Sequence, residues 1–232
     1  ETTEVYLLDA NAPQTADFQR ITPRDKNVQY SVYHRHGTLY IVTNWQAQNY
    51  RLMTAPVATP SRDNWQEMIP HRPSVMLYDV DLFANQMVLH ERENGLTTMR
   101  VYDFETETFT AVSFPEPVYT YTAGSNPTFN TNAIRIEYTS LTTSDSDYDI
   151  NLGTLEWTLI KQEPVLGGYS ASNYVSQRIF ATADDGTQIP ISLVHHRNVQ
   201  PNANTPLLLY GYGSYGYSID PYFDQKRLVF LD

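Results

Sequence analysis

A chain of 232 residues, 41% hydrophobic and 18% charged, has the composition of an ordinary globular protein, which excludes collagen-like, low-complexity and disordered classes. Its 15 basic and 26 acidic residues give a formal net charge of −11, so a surface of clustered Lys and Arg for nucleic acid is not expected. Cysteine is absent, which excludes disulfides, thiolate nucleophiles and Cys-bound zinc, and no apolar run is long enough to span a bilayer.

The acidic balance reads first as a solvated surface that keeps the protein soluble, and second as a field that steers cationic peptides inward. The chain opens on Glu1-Thr2-Thr3-Glu4 without an initiator Met, a basic leader or an apolar signal core, and residues 5–8 resemble the inside of a strand. Four short strands are then predicted at residues 28–33, 39–43, 50–53 and 65–69, with His36-Gly37 at the first turn. The same order recurs at 75–80, 86–90, 98–104 and 109–114, separated by Ala84-Asn85, Asn94-Gly95 and Glu105-Thr106. A third round starts near Tyr119 and includes residues 133–138. Tyr40, Met87 and Ile134 hold equivalent places in the second strand of each round, spaced 47 residues apart.

Four strands per unit of 40–50 residues is the pattern of β-propeller blades, each of which must stack on a neighbour to bury its faces. Two units and part of a third cannot close a ring, so part of a propeller is expected over residues 1–162, with an all-β sandwich as the alternative. Unclosed blades leave strand edges open, and self-association through them is expected.

Past residue 162 the texture changes. Glu163-Pro164-Val165-Leu166-Gly167-Gly168-Tyr169 is a Pro/Gly break that reads as a hinge and domain boundary. Residues 174–183 and 189–195 form a predicted hairpin around Asp184-Asp185-Gly186. A polar loop then leads into Pro206-Leu207-Leu208-Leu209-Tyr210, apolar without alternation, as for a strand buried on both faces of an α/β sheet. The end of the chain, residues 227–232, is still apolar and β-rich, so both ends look cut.

Directly after the apolar run stands Gly211-Tyr212-Gly213-Ser214-Tyr215-Gly216. By letter this is a dinucleotide fingerprint, but that site needs a helix to start at the last glycine, and Tyr217-Ser218-Ile219-Asp220-Pro221 argues against one. Ser214 is not a nucleophile elbow either, because Tyr212 stands where that motif requires glycine. A third reading fits better. In α/β-hydrolases the loop after the third strand helps build the oxyanion hole, and a tyrosine hydroxyl there can donate to the developing charge.

The residues 208–216 together with Ser218-Ile219-Asp220-Pro221 resemble the Tyr-Gly-Tyr-Gly loop of the prolyl oligopeptidase family, and the Gly-Ser-Tyr-Gly continuation is most similar to oligopeptidase B. Residues 174–183, Asp185-Gly186 and 189–194 resemble the entry to that family's catalytic domain, as does the break at 163–169. The resemblance implies part of a seven-bladed propeller over 1–162, and the hinge and first strands of an α/β-hydrolase domain over 163–232. It implies a serine endopeptidase that cuts short peptides after Arg or Lys, needs no metal or cofactor, and works in the cytoplasm. Tyr212 would be the oxyanion-hole tyrosine, and Tyr215 would contact substrate. The Ser-Asp-His triad would lie beyond this loop, leaving the 232 residues inactive by themselves. Without the motif, Tyr212 reads as a packing aromatic on a turn. His195 and His196 read as a hydrated strand-end pair, and His34 and His36 as two strand residues without a third metal ligand.

Overall fold

The computed structural model describes residues 1–232, and they divide into two units: Glu1–Glu93 with Thr98–Ala111, and Asn94–Thr97 with Val112–Asp232. In the first unit a short arm, β1 (Tyr6–Leu7) paired antiparallel with β2 (Gln19–Arg20), precedes two four-stranded antiparallel sheets. The first sheet runs in chain order through β3 (Tyr30–Arg35), β4 (Thr38–Thr43), β5 (Arg51–Pro56) and β6 (Gln66–Ile69). The second runs through β7 (Val75–Leu82), β8 (Gln86–Glu93), β9 (Leu96–Asp103) and β10 (Thr108–Ala111).

The two-residue period of a strand explains why β4 is buried on both faces. Leu39 and Ile41 join Ile21, Tyr30, Met53 and Trp65, against which Val5, Leu7 and Val28 of the arm pack. Tyr40 and Val42 point the other way, into a core shared with Leu77, Val80, Met87 and Leu89 of the second sheet. Neither sheet could bury both faces without its neighbour. Arg35 adds a polar fastening: its guanidinium lies 3.6 Å from the Phe104 ring centroid and donates through Nη2 to the Ala84 carbonyl at 2.6 Å.

The second unit begins with a third four-stranded sheet: β11 (Tyr119–Ala123), β12 (Ala133–Ser140), β13 (Ser146–Asn151) and β14 (Trp157–Gln162). This corrects the expectation of a partial third unit. The polar stretch Ser146-Asp147-Tyr148-Asp149-Ile150-Asn151, to which the sequence analysis assigns no element, pairs with β12 and buries Ser146 and Ile150. Its face is closed by Phe114, which stacks on Tyr119 at 4.2 Å and meets the edge of Trp157 at 5.2 Å.

The hairpin of β15 (Tyr174–Thr182) and β16 (Gln188–His196) is paired from Tyr174 with His196 to Thr182 with Gln188, as its turn residues predict. Two expectations fail beyond it. Residues 206–210 form no strand, and Leu207, Leu208, Leu209 and Tyr210 are 72–77% exposed rather than buried, because no strand of the chain pairs with them. The terminal run is not β either: α1 (Leu228–Leu231) is a single helical turn. Leu is a good helix former, Val and Phe favour strands, and no neighbouring strand is present to select the extended state.

Candidate active-site loop

The glycine loop leaves the exposed run at Tyr210 and turns through one 3₁₀ turn, Ser214–Gly216, closed by Tyr217 N–H donating to the Ser214 carbonyl at 3.2 Å. The next helical residues are Gln225–Arg227, so no helix starts at Gly216 and a pyrophosphate would find no helix N-terminus there. The dinucleotide reading is thereby excluded on geometry.

Tyr212 stands at the mouth of the loop, 53% exposed, with its ring meeting Tyr217 edge-on at 6.1 Å. The ring contact fits a packing aromatic on a turn, while the exposure leaves the side chain open to another molecule. Tyr215 is fully exposed and sits at φ 60°, ψ 24°, a left-handed conformation that costs a non-glycine residue roughly 1 kcal/mol or more. Nothing in the chain packs on its ring to repay that strain. A Cβ added at Gly211 or Gly213 would meet nothing within 4 Å, so neither glycine is required by packing inside the chain. Glycines that face open space leave the backbone free for close approach by another molecule.

His34 and His36 are placed differently from their sequence reading. His34 Nε2 accepts from Gly37 N–H at 3.1 Å, and His36 lies in the turn at φ 46° rather than beside His34 on the strand. The structure contains no group of three or more His, Cys, Asp or Glu placed to hold a metal. His195 and His196 are half-buried at the end of β16, where the sequence reading puts them. His196 meets Tyr174 edge-on at 5.6 Å, and its Nδ1 accepts from Asn198 N–H at 3.2 Å, so the pair finishes β16.

Sequence reasoning passed over two clusters. In the second sheet, the Glu91 carboxylate is 3% exposed and takes charge-assisted hydrogen bonds from Arg72 and from Arg100, the latter bidentate at 2.7 and 2.8 Å. In the second unit, Glu116 accepts from Tyr138 Oη at 2.6 Å, Ser140 Oγ at 2.9 Å and Thr142 Oγ1 at 2.5 Å. The Tyr138 phenol is pushed far above its usual range, by burial first and by the Glu116 carboxylate second. A Phe-Pro-Glu-Pro run before a Tyr-rich strand is the only sequence signal for the second cluster.

The three four-stranded sheets are matched by a family model, the prolyl oligopeptidase N-terminal β-propeller domain, over residues 1–163. The chain belongs to the prolyl oligopeptidase family. Dipeptidyl aminopeptidase BI of Pseudoxanthomonas mexicana is 37% identical over 217 residues, which are 93% of this chain and 30% of that protein. Protease 2 of Moraxella lacunata is 32% identical over 232 residues, all of this chain and 33% of that one. Among solved structures, oligopeptidase B from Trypanosoma brucei, in a closed form with covalently bound antipain, superposes with a TM-score of 0.88 at 33% identity. That likeness covers 100% of this chain and 34% of the other. The chain thus spans about a third of the length of these prolyl oligopeptidase relatives. The family membership, the mainly-β fold and the unclosed array of blades all agree with the sequence reading.

Proposed function

We propose that these 232 residues are the portion of an oligopeptidase B-like serine endopeptidase that carries propeller blades and the oxyanion loop. The intact enzyme cuts small peptides after Arg or Lys by acyl transfer through a serine ester. Residues 1–162 belong to the propeller, and 163–232 to the hinge and the first part of the α/β-hydrolase domain. In this reading Tyr212 Oη donates to the oxyanion formed when the nucleophile attacks the scissile carbonyl, and Tyr215 contacts the substrate side chain. The observation that carries the reading is the loop itself: a Tyr-Gly-Tyr-Gly turn whose glycines face open space and whose two tyrosines are exposed. The Ser-Asp-His triad is assigned to other parts of the enzyme, so the chain alone hydrolyses no peptide bond. The net charge of −11 favours cationic peptide substrates over nucleic acid. No helix is long and apolar enough to cross a membrane. A cytoplasmic enzyme that uses neither metal nor cofactor completes the proposal, the compartment being supported by the lack of cysteine.

A second reading has a specific support. The 37% identity to a dipeptidyl aminopeptidase favours removal of dipeptides from a free N-terminus over internal cleavage. A non-catalytic propeller module that binds peptides, or a prolyl- or acylaminoacyl-specific relative, remains the competitor from outside that class.

The test compares an Arg-terminated fluorogenic dipeptide with its N-terminus blocked and free, using this chain and a longer protein that contains it together with a triad. The expected result is turnover of the blocked substrate by the longer protein only, with Tyr212→Phe lowering kcat by about 100-fold or more, as for loss of one oxyanion donor. Turnover of the free substrate alone would establish the dipeptidyl reading. An inert longer protein would establish the binding-module reading.

A further inference from the structure

The Pro/Gly stretch at 163–169 reads from sequence as a hinge, but its two ends are fastened to the same place. Before it, Glu163 N–H donates to the Asp145 carbonyl at 2.9 Å, and Ser144 Oγ donates to the Glu163 carbonyl at 2.7 Å. After it, Tyr169 Oη donates to the Thr142 carbonyl. Residues 142–145 are one short connection between β12 and β13. The stretch between the anchors, Pro164-Val165-Leu166-Gly167-Gly168, is therefore a loop closed on a single element.

The two glycines lie at φ 91° and 80° with nothing within 4 Å of a Cβ, Leu166 is 76% exposed, and Gln225 Nε2 reaches the Leu166 carbonyl only at 3.4 Å, so the loop itself is loosely held. Its far anchor is not. The Tyr169 ring stacks on Tyr174 at 5.5 Å and 17°, and meets Phe223 edge-on at 5.2 Å. Phe223 N–H in turn donates to Thr139 Oγ1 of β12 at 3.1 Å. Thr142, which receives the Tyr169 hydroxyl, is itself held by Glu116 through its own hydroxyl at 2.5 Å. Tyr174 opens β15, pairs with His196 and donates to Asp232 at 2.6 Å.

We infer that Tyr169 is a pin that prevents the Pro/Gly stretch from acting as a hinge. A flexible loop that leaves and rejoins one body transmits no rotation to the chain beyond it. While Tyr169 is seated, residues 169–174 and the start of the hairpin move with the third sheet. Only when the Tyr169 ring leaves Tyr174 and Phe223, and its hydroxyl leaves Thr142, do residues 164–171 become a true hinge, since Ser172 and Asn173 are held to the hairpin by Arg197. Tyr169 is thus a positioning residue for the start of the hairpin, held through Thr142, Tyr174 and Phe223.

Amide hydrogen exchange read by mass spectrometry on this chain tests the inference. In the wild type, residues 165–168 should exchange at near-intrinsic rates. Peptides covering 170–174 should exchange about 3-fold more slowly or better, because Asn173 N–H donates to the Ser170 carbonyl at 3.0 Å. Tyr169→Ala should raise exchange at 170–174 to the rate of 165–168, while residues 134–138 of β12 keep their protection and show the sheet intact. Equal rates at 165–168 and 170–174 in the wild type, or unchanged protection at 170–174 in Tyr169→Ala, would overturn the pin. Should the alanine variant also loosen β12, Tyr169→Phe decides, because it keeps the ring and removes the bond to Thr142. Faster exchange at 170–174 with β12 unchanged then supports the pin, and no change overturns it.

Discussion

A carboxylate buried between two guanidinium groups shows what single residues contribute to the first unit. Glu91 would be costly to bury alone, and it is tolerated because Arg100 grips it with two parallel bonds while Arg72 supplies the third. Arg100 is itself laid over the Phe109 ring, 4.7 Å from its centroid, which ties β9 to β10. Glu91→Gln removes the charge and leaves both arginines short of a partner. Breaking a buried ion pair costs about 3–5 kcal/mol, and the value here should fall at the low end, because Arg72 and Arg100 keep 31% and 23% of their side-chain exposure. The urea midpoint of the first unit should drop accordingly; an unchanged midpoint would mean that the arginines re-hydrate at no net cost. The predicted strand stops at residue 90, and the structure carries it on to Glu93. Burial of Glu91 is decided by the strands on either side of β8, which no local pattern announces.

Among the elements, the difference between protected and unprotected strands decides how the chain should behave in solution. Three outer strands carry register shifts in their pairing, β6 against β5, β7 against β8, and β14 against β13, and β10 is short and Thr-rich. Bulges and short polar edges discourage edge-to-edge pairing. Residues 207–210 have no such protection, being four apolar side chains in sequence at 72–77% exposure without strand partners. Self-association of the chain is therefore expected to run through this segment more than through the blade edges. Leu208→Lys should shift light-scattering mass toward monomer, whereas a lysine at Thr110 on the β10 edge should not; the reverse pattern would return the blade edges to first place. The same contrast explains what was legible. Strands β3 to β5, β7 to β9, β12 and the β15–β16 hairpin were readable, since Val, Tyr, Leu and Ile alternate between turn residues such as His36-Gly37 and Asn94-Gly95. The strand β13 was not, because its inward places are held by Ser146, Tyr148 and Ile150 among aspartates. The glycine loop was legible as a turn that starts no helix, but its exposure and the left-handed Tyr215 were not, since both depend on what the neighbouring backbone fails to pair with.

For the molecule as a whole, stability against alkali should be set by its tyrosines, 18 in 232 residues, because several are held neutral by the fold. Burial pushes the phenols of Tyr119 and Tyr169 up to about 12, and the Asp232 carboxylate, bonded to Tyr174 Oη, pushes that phenol up to about 12 as well. Tyr33 and Tyr138 are raised further, by burial first and then by the carboxylates of Asp79 and Glu116. Each of these groups keeps its proton in the folded chain at a pH where the unfolded chain has lost it. The stabilising contribution is thus complete below the unfolded value near 10 and falls away as pH rises from 10 through about 12. Each group can steepen the fall by up to about 1.4 kcal/mol per pH unit while only the unfolded form is ionised. The melting temperature should therefore decline steeply above pH 10, and phenolate absorbance should gain a late step that coincides with loss of the β signal in circular dichroism. Tyr119→Phe removes one titrating group without removing its ring from the stack on Phe114, and should make the decline shallower. A melting temperature that stays flat from pH 10 to 12 would mean that the buried phenols ionise in place, and that the aromatic face of the third sheet is open to solvent despite Tyr138 being 1% exposed.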